Sequence, residues 1–374
     1  MDNSYSPRRT SWRYVILLLV VVAVCGGWSL FWYTATDKAQ TALDGWRARE
    51  AQAGRIYACG SESFGGFPFR FEVNCDAALA QFQRSQPPLE IKARGIVVAA
   101  QVYEPNLLIS EFRGPLTVAA TGEAPQLVVN WKLAQASVRG TPAAPERSSV
   151  VLDKPVIDAV NGGTTRTLVK ANRIEVHGRL AEGSALSQPV IEVALRLDDA
   201  VAPDMHPAMA LPLDASIDTV LRGLNDFSPK PWPERFRQIQ ADGGRIDVTQ
   251  ARVQQGETIA IGSGSVSINP TGRLQGQLRV TVAGLEPFLK LIGAQQIIQT
   301  SPQVDKLAGA LDRLSPGLGN MARQQVGANL SAGINMLGEK TTLEGQPAVT
   351  LPLRFDDGRM YLGPIPLGDA PAVF

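Results

Sequence analysis

The chain has 374 residues, with 36 lysine and arginine residues against 35 aspartate and glutamate residues. Three of the basic residues and one of the acidic residues lie before residue 34, so the remaining body is nearly neutral and lacks the concentrated positive footprint of a nucleic-acid-binding protein. That body, about 340 residues, exceeds the usual size of a single core and predicts two lobes or one elongated sheet.

The first predicted element is an uncharged apolar run, Tyr14–Tyr33. At 1.5 Å per helical residue the run is about 30 Å long, which matches the hydrocarbon core of a bilayer. Aromatic residues lie at or near both ends, where amphipathic rings favour the headgroup level. The run is longer than the core of a signal peptide, and it ends in Phe31-Trp32-Tyr33, a poor cleavage site. We therefore expect a single transmembrane helix over 14–33.

The flanks of this run predict its orientation. Three arginines precede it, so the tail 1–13 is expected in the cytoplasm and the body on the far side, which is the periplasm if the chain comes from the inner membrane of a bacterium. Cys25 leaves lipidation open as an alternative, although Val24 stands where lipidation needs a small residue. A cysteine inside a membrane helix is the simpler interpretation.

A second helical pattern follows the apolar run. Ala39, Leu43 and Trp46 recur at the spacing of one helix face, which predicts a helix over Thr36–Ala53 that Gly54 ends.

Cys59 and Cys75 are the cysteines outside the apolar run, and a pair of this spacing predicts a disulfide in an oxidising compartment. Two reduced, buried cysteines in a cytosolic protein are the alternative. Between them, Phe67, Phe69 and Phe71 alternate along the chain, so a strand would place the three rings on one face. They fit either a core hairpin pinned by the disulfide or an aromatic contact to a ligand.

Alternating segments from Leu89 to about Leu197 are separated by Pro, Gly and Asn rather than by helices, which indicates an antiparallel meander. The fold class predicted is mainly β with α (α+β): extended antiparallel sheets after the N-terminal helix, with a C-terminal helical insertion packed on the sheet. The predicted domains are a first β-rich lobe over 34–202, a Pro-rich connection over 203–233 and a second β-rich lobe over 234–374. A short helix is predicted at 233–241.

The segment of about 285–336 changes from alternation to helical spacing, with Phe288, Ile292 and Leu311 on the apolar phase. Two or three amphipathic helices are predicted here. They would pack on the sheet or cover a lipid-binding groove.

The search for catalytic chemistry identifies no site. His177 lies on the polar phase of a strand, and His206 in a Pro-rich stretch has no partner at metal-ligand spacing. Gly317–Ala322 matches a relaxed dinucleotide fingerprint but follows no strand, and Asp198-Asp199 and Asp356-Asp357 fall where turns are expected. We therefore predict no enzyme activity, no catalytic residue, no cofactor and no metal.

Three sequence blocks carry a family resemblance: Gly65–Phe71 between the two cysteines, Gly243–Val248 followed by Gly264 to Gly276, and Leu351–Arg359 with Leu362–Leu367. In these blocks the chain resembles the bacterial family called Domain of Unknown Function 2125. The resemblance implies an inner-membrane anchor and a periplasmic domain, and no known activity. The architecture is also similar to that of AsmA-like envelope proteins, which are associated with lipid movement, a likeness of fold alone.

Three functions remain open at this stage. The first is a membrane-anchored binder of lipid or another hydrophobic ligand in a sheet groove; the second is an envelope scaffold that binds partner proteins; the third is an enzyme. Apolar residues on both phases of Ile96–Ala100 lean towards the groove, although strands sandwiched between layers show the same pattern. The predicted groove residues are Phe67, Phe69, Phe71, Phe288, Ile292 and Leu311. The predicted partners are the bilayer, through 14–33, and lipid or envelope proteins.

Overall fold

The computed structural model describes residues 12–141, 144–205, 207–228, 230–291, 338–363, 365–370 and 372–374. The chain forms two compact units, Met1–Pro125 and Gln126–Phe374. This division differs from the predicted one at 203–233, because that segment lies inside the second unit.

The described part of unit 1 is a five-stranded antiparallel sheet with one long helix. The elements are α1 (Trp12–Gln52), β1 (Arg55–Ala58), β2 (Ser61–Gly65), β3 (Arg70–Phe82), β4 (Leu89–Gln101) and β5 (Glu104–Ala120). Strands β1 and β2 follow one another along one edge of β3, and β3, β4 and β5 pair in chain order.

Helix α1 joins the predicted membrane span and the predicted helix after it into one element. No proline interrupts Trp12–Gln52, so the backbone hydrogen bonds continue through both segments. The helix ends at Gly54, whose φ of +80° suits glycine and whose N–H donates to the Ala51 carbonyl at 2.9 Å. In the described part of the chain, α1 is the helix long and apolar enough to cross a membrane.

The described residues of unit 2 form antiparallel strands and short helices. The strands are β6 (Leu127–Asn130), β7 (Leu133–Thr141), β8 (Ala144–Asp153), β9 (Val156–Asn161), β10 (Thr164–Lys170), β11 (Arg173–Ser184), β12 (Ser187–Ala200), β13 (Leu213–Arg222), β14 (Arg245–Gln255), β15 (Thr258–Ile268), β16 (Leu274–Ala283), β17 (Glu339–Leu343), β18 (Gln346–Asp356), β19 (Arg359–Leu362) and β20 (Ile365–Asp369). The described helices are a 3₁₀ turn (Pro207–Ala210), α2 (Trp232–Ala241) and α3 (Leu285–Leu291).

The strands of unit 2 pair in two groups. In the larger group β7, β8, β11, β12, β13, β14, β15, β16 and β18 pair in that order, β17 and β19 both pair with β18, and β20 lies beside β19. In the smaller group β9 pairs with β6 and β10.

The fold class, mainly antiparallel β with α, is confirmed. Helix α2 begins within a residue of the predicted start, with Pro233 in its first turn. Within the predicted connection 203–233, however, strand β13 pairs with β12 on one edge and β14 on the other. Its alternating sequence, Leu213–Arg222, forms a strand in spite of the prolines on both sides.

Helix α3 packs on the sheet of unit 2. Leu285 and Leu289 form a buried cluster with Val349, Leu351 and Leu362, and Phe288 packs against that cluster. The predicted start of a helical segment at 285 and its packing on the sheet are therefore confirmed. The remainder of 285–336, including Ile292 and Leu311, lies outside the described residues.

Candidate hydrophobic groove

An apolar cavity of about 570 Å³ lies in unit 1 between α1 and one face of the β1–β5 sheet. We call this cavity the groove. On its helical wall lie Ala39, Leu43 and Trp46, so the predicted apolar face of the second helical segment is confirmed. The groove is lined by Ala39, Leu43, Trp46, Arg47, Tyr57, Ala58, Cys59, Phe64, Val73, Cys75, Ala78, Leu79, Ala80, Ile91, Ala93, Ile96, Val98, Leu108, Phe112 and Leu116.

The lining contributed by β3 does not follow one phase along the strand. Val73 and Cys75 line the groove before Ala77, and Ala78, Leu79 and Ala80 line it after Ala77. Ala77 has a φ of +48°, which interrupts the extended conformation, while the β3–β4 register is the same on both sides, with Asp76 opposite Gly95 and Ala78 opposite Ala93. Side chains on both sides of Ala77 therefore face the same cavity.

Strand β4 changes phase at this level, whereas β5 does not. In β4 the lining passes from Ala93 to Ile96 across Gly95, where the β4–β5 register shifts, while Leu108, Phe112 and Leu116 of β5 keep one phase. Simple alternation along β4 predicts that Ile96 and Val98 face away from Ile91 and Ala93, whereas all four residues line the groove. Gly95 is the sequence signal that marks the change, because an isolated glycine in a strand is typical of a bulge or a bend.

Small side chains leave the groove open. Ala39 on the helix faces a sheet wall that includes Ala58, Ala78, Ala80 and Ala93. The resulting space is a partly open apolar cleft between the helix and the sheet. Ligand-binding pockets measure roughly 300–1,000 Å³, a range that includes the groove.

Aromatic rings stand at both ends of the groove face. At the far end Trp46 stacks on Tyr57 with ring centroids 4.9 Å apart, and burial, with a smaller effect from Glu50, raises the pKa of the Tyr57 phenol. At the end near the candidate membrane span, Trp32 stacks on Phe71 at 6.1 Å and is 4% exposed. The groove therefore extends along α1 away from the span.

Arg47 is the charged side chain of the lining, and carboxylates neutralise it. Its Nη2 forms an ion pair with Glu62, and its Nη1 lies 3.6 Å from Asp44 Oδ1. The same Nη2 lies 3.7 Å from Cys59 Sγ. The groove therefore presents a paired cation beside the disulfide and apolar groups elsewhere.

The predicted disulfide is present, and it forms part of the groove wall. Cys59 precedes β2 and is bonded to Cys75 in the middle of β3, which fixes the β2–β3 hairpin beneath α1. Cys25 is free and exposed on α1.

The three predicted phenylalanines occupy different environments. Phe71 lies in β3 on the groove face, two residues from Val73. Phe67 and Phe69 precede the strand, in a turn closed by a hydrogen bond from Arg70 N–H to the Gly66 carbonyl at 3.0 Å. Only Phe71 therefore shares the strand face on which all three rings were predicted.

Unit 2 contains a second apolar cavity, of about 480 Å³, beneath α2. Trp232, Phe236 and Ile239 of α2 line it, and the buried guanidinium of Arg235 donates to the Asp226 carbonyl at 3.0 Å. Since Arg235 and Asp226 close it with fixed polar contacts, we read this cavity as space between a helix and the sheet that supports it.

His177, whose partners could not be predicted, contacts two side chains. Its Nδ1 lies 2.7 Å from Ser149 Oγ on β8, and its Nε2 lies 2.9 Å from Glu175 on its own strand. The hydrogen bond from His177 and a further one from Arg173 lower the pKa of Glu175. No cluster of metal-ligating side chains occurs among the described residues.

Comparison with known proteins gives one family. A family model described as "Uncharacterized protein conserved in bacteria (DUF2125)" matches residues 32–371. No curated protein matches the chain.

Proposed function

We infer the function of this chain from its geometry. The chain belongs to the DUF2125 family of bacterial proteins, and the description of that family assigns no activity. The family resemblance predicted from the three sequence blocks is thereby confirmed. The groove binds an acyl chain of a membrane lipid, and α1 holds it beside the bilayer that supplies the lipid. The body lies in the periplasm of a cell with an inner membrane.

The single observation that carries this proposal is the position of the groove along α1. The helix that contains the candidate span continues without a break, and its next face, Ala39, Leu43 and Trp46, forms the groove wall. An acyl chain that leaves the bilayer beside α1 therefore meets an apolar cavity along the same helix. Each buried CH₂ would contribute about 0.8 kcal/mol, so a partly buried chain would be held with useful affinity.

Two further observations support the proposal. The Cys59–Cys75 disulfide fits an oxidising compartment such as the periplasm. The charged residue of the lining, Arg47, is already paired with Glu62, which suits an apolar ligand better than an anion.

The experiment uses the full chain in lipid nanodiscs with a palmitate that carries a photoactivatable diazirine at the chain end. After irradiation, labelled peptides are mapped by mass spectrometry. Label is expected on the strand peptides that contain Tyr57 and Phe112, since both side chains line the groove above the span. Label confined to 14–33 would contradict the proposal.

A matched pair of variants identifies the labelled space. Ala39→Phe places a ring in the groove, whereas Ala48→Phe adds the same ring on the opposite, exposed side of α1. We expect the first variant to lose strand labelling and the second to keep it. Equal labelling in both variants would place the palmitate elsewhere.

The alternative with the most structural support is an enzyme. Its candidate site is Ser149, His177 and Glu175, whose contacts resemble those of a nucleophile, a base and an acid. The backbone of Ser149 pairs with β7 on one side and β11 on the other, so its N–H belongs to the sheet rather than to an oxyanion hole. A fluorophosphonate probe decides this alternative. Labelling that disappears in Ser149→Ala would favour a hydrolase.

A further inference from the structure

The turn between β2 and β3 lies against the end of the candidate membrane span. The indole N–H of Trp28 donates to the Pro68 carbonyl at 2.9 Å, and that of Trp32 donates to the Arg70 carbonyl at 3.1 Å. The ring of Trp32 also meets Phe67 edge-on, with centroids 5.4 Å apart. The turn is therefore held at the height of residues 28–32 of α1.

That height lies within the predicted span. Trp28 is five residues before Tyr33, which corresponds to about 7 Å along the helix axis. In a bilayer whose hydrocarbon core is crossed by Tyr14–Tyr33, a group level with Trp28 lies about 7 Å below the boundary between the headgroups and the acyl chains. Amphipathic segments bound at this boundary bury their apolar side roughly 5–10 Å deep.

The turn leaves large parts of its aromatic rings exposed to its surroundings. Phe67 is 50% exposed and Phe69 is 64% exposed. The β4–β5 turn lies beside them, because Val102 N–H donates to the Phe69 carbonyl at 3.0 Å, and Tyr103 in that turn is 78% exposed. We call Phe67, Phe69 and Tyr103 the aromatic tip.

Four backbone carbonyl groups in and beside the turn accept hydrogen bonds from donors within the protein. Gly66 receives the Arg70 N–H, Pro68 the Trp28 indole, Phe69 the Val102 N–H and Arg70 the Trp32 indole. Proline has no N–H to satisfy. A turn in water could leave these carbonyls to solvent, whereas a turn in an apolar environment needs partners for them.

We propose that the aromatic tip inserts into the bilayer leaflet that faces the body, as a second contact beside the span. The partner is the phospholipid bilayer itself, because the tip is continuous with the helix that crosses it. Arg70, which pairs with Glu72 at 2.8 Å and is half exposed, lies where it meets the headgroups. The contact fixes the body against the membrane, and it does not depend on what the groove binds.

The test places a nitroxide on the full chain in vesicles of phosphatidylcholine and phosphatidylglycerol. The chain carries Cys25→Ser, so that the label attaches to Phe69→Cys alone. Gln83→Cys is the matched control: it follows β3 at its other end, and a strand of 13 residues places it roughly 40 Å away. Oxygen concentrates in the bilayer and a charged nickel complex stays in water, so their collision rates report the environment of each label.

We expect the label at 69 to collide severalfold more with oxygen and severalfold less with the nickel complex than the label at 83. Tyr103→Cys gives an independent reading of the same surface if the Phe69 variant does not retain the linked Cys59–Cys75 peptide. Equal access of the nickel complex to 69 and 83 would overturn the proposal. Protection from both reagents at 69 would also overturn it, since that result would mean a protein partner covers the tip.

Discussion

Cys59 and Cys75 restrain the hairpin that forms the floor of the groove. The bond closes a loop of 16 residues, and chain-entropy arguments give such a loop a stabilisation of about 3 kcal/mol. We expect the Cys59→Ser, Cys75→Ser double variant of the full chain to unfold at a lower temperature. Cys25→Ser, which changes a free cysteine on α1, serves as the control and is expected to unfold with the wild type. An unchanged unfolding temperature in the double variant would contradict this prediction.

Asp226 gives unit 2 a stability that depends on pH. A hydrogen bond from the Ser228 hydroxyl and further contacts from the Ser228 N–H and Arg235 lower the pKa of Asp226 to about 2. The folded pKa lies below the ordinary value of 3.8, so this contribution is present above about pH 3.8 and is lost as the pH falls towards 2. Asp226→Asn should therefore destabilise the protein at pH 7 and have a smaller effect near pH 2.

The measurement is the unfolding temperature of each variant across this pH range. Asp37→Asn, at an exposed position on α1, is the control for loss of one carboxylate. If Asp226→Asn and Asp37→Asn shift the unfolding temperature equally at pH 7, the contacts around Asp226 do not stabilise the fold.

Individual residues show where sequence reasoning reaches its limit. The pairing of Cys59 with Cys75 could be predicted, because few cysteines are available and their spacing suits a hairpin. The alanines of the groove wall could not be predicted, because Ala77 has a positive φ that interrupts the extended strand, and a pattern of period 2 does not place residues beyond such a break. Phe67 and Phe69 were predicted on a strand because alternation also occurs by chance in a turn.

At the scale of elements, α1 contains both the candidate span and one wall of the groove. Since one unbroken helix holds these two segments in line, a kink between them should move the groove wall relative to the candidate span. Ala35→Pro removes a backbone hydrogen bond in the middle of α1 and costs a helix about 3 kcal/mol or more. We expect this variant to enter membranes normally while the palmitate labelling of the strands falls.

Ala35→Ser is the matched control, since serine keeps the backbone N–H. Strand labelling in the serine variant should remain near the wild-type level. If the proline variant also keeps its strand labelling, the groove does not need a continuous α1, and the role assigned to that helix fails.

Helices and strands were predicted best where apolar residues recur at one spacing, helical or alternating, over a long segment. The candidate span, the second helical face and the antiparallel strands from β4 to β12 were recognised from their periods. The predicted meander order is wrong, because β8 pairs with β11 rather than with β9, and β9 pairs with β6 and β10. Strand β13 was missed because prolines on either side suggested a connection, whereas its pairing with β12 and β14 determines its structure. Tertiary pairing of this kind is not visible in local composition.

At the scale of the whole molecule, the two compact units differ in what their described residues form. Unit 1 combines a candidate span, a groove and a disulfide, while unit 2 has its own buried cluster around Leu285 and Leu351. The features that suggest contact with lipid are thus concentrated in the first third of the chain. The apolar run predicts a candidate anchor in this part of the chain. Sequence periodicity does not distinguish a groove formed within unit 1 from one that also includes Phe288 of unit 2.

The orientation of the molecule in the membrane is the prediction on which the periplasmic location of the groove depends. Arg8, Arg9 and Arg13 precede the apolar run, and a basic flank of this kind stays on the cytoplasmic side. Alkaline phosphatase folds only where disulfides form, so its fusion after Phe374 should be active in a bacterial host. A cytoplasmic reporter fused at the same position should be inactive.

A variant with all three arginines replaced by serine tests the cause. It should lower the phosphatase activity, because the charge difference across the span is then lost. An inactive phosphatase with an active cytoplasmic reporter on the wild-type chain would place the body in the cytoplasm. The Cys59–Cys75 disulfide would then lack the oxidising environment that it needs, and a groove facing a periplasmic leaflet would have to be abandoned.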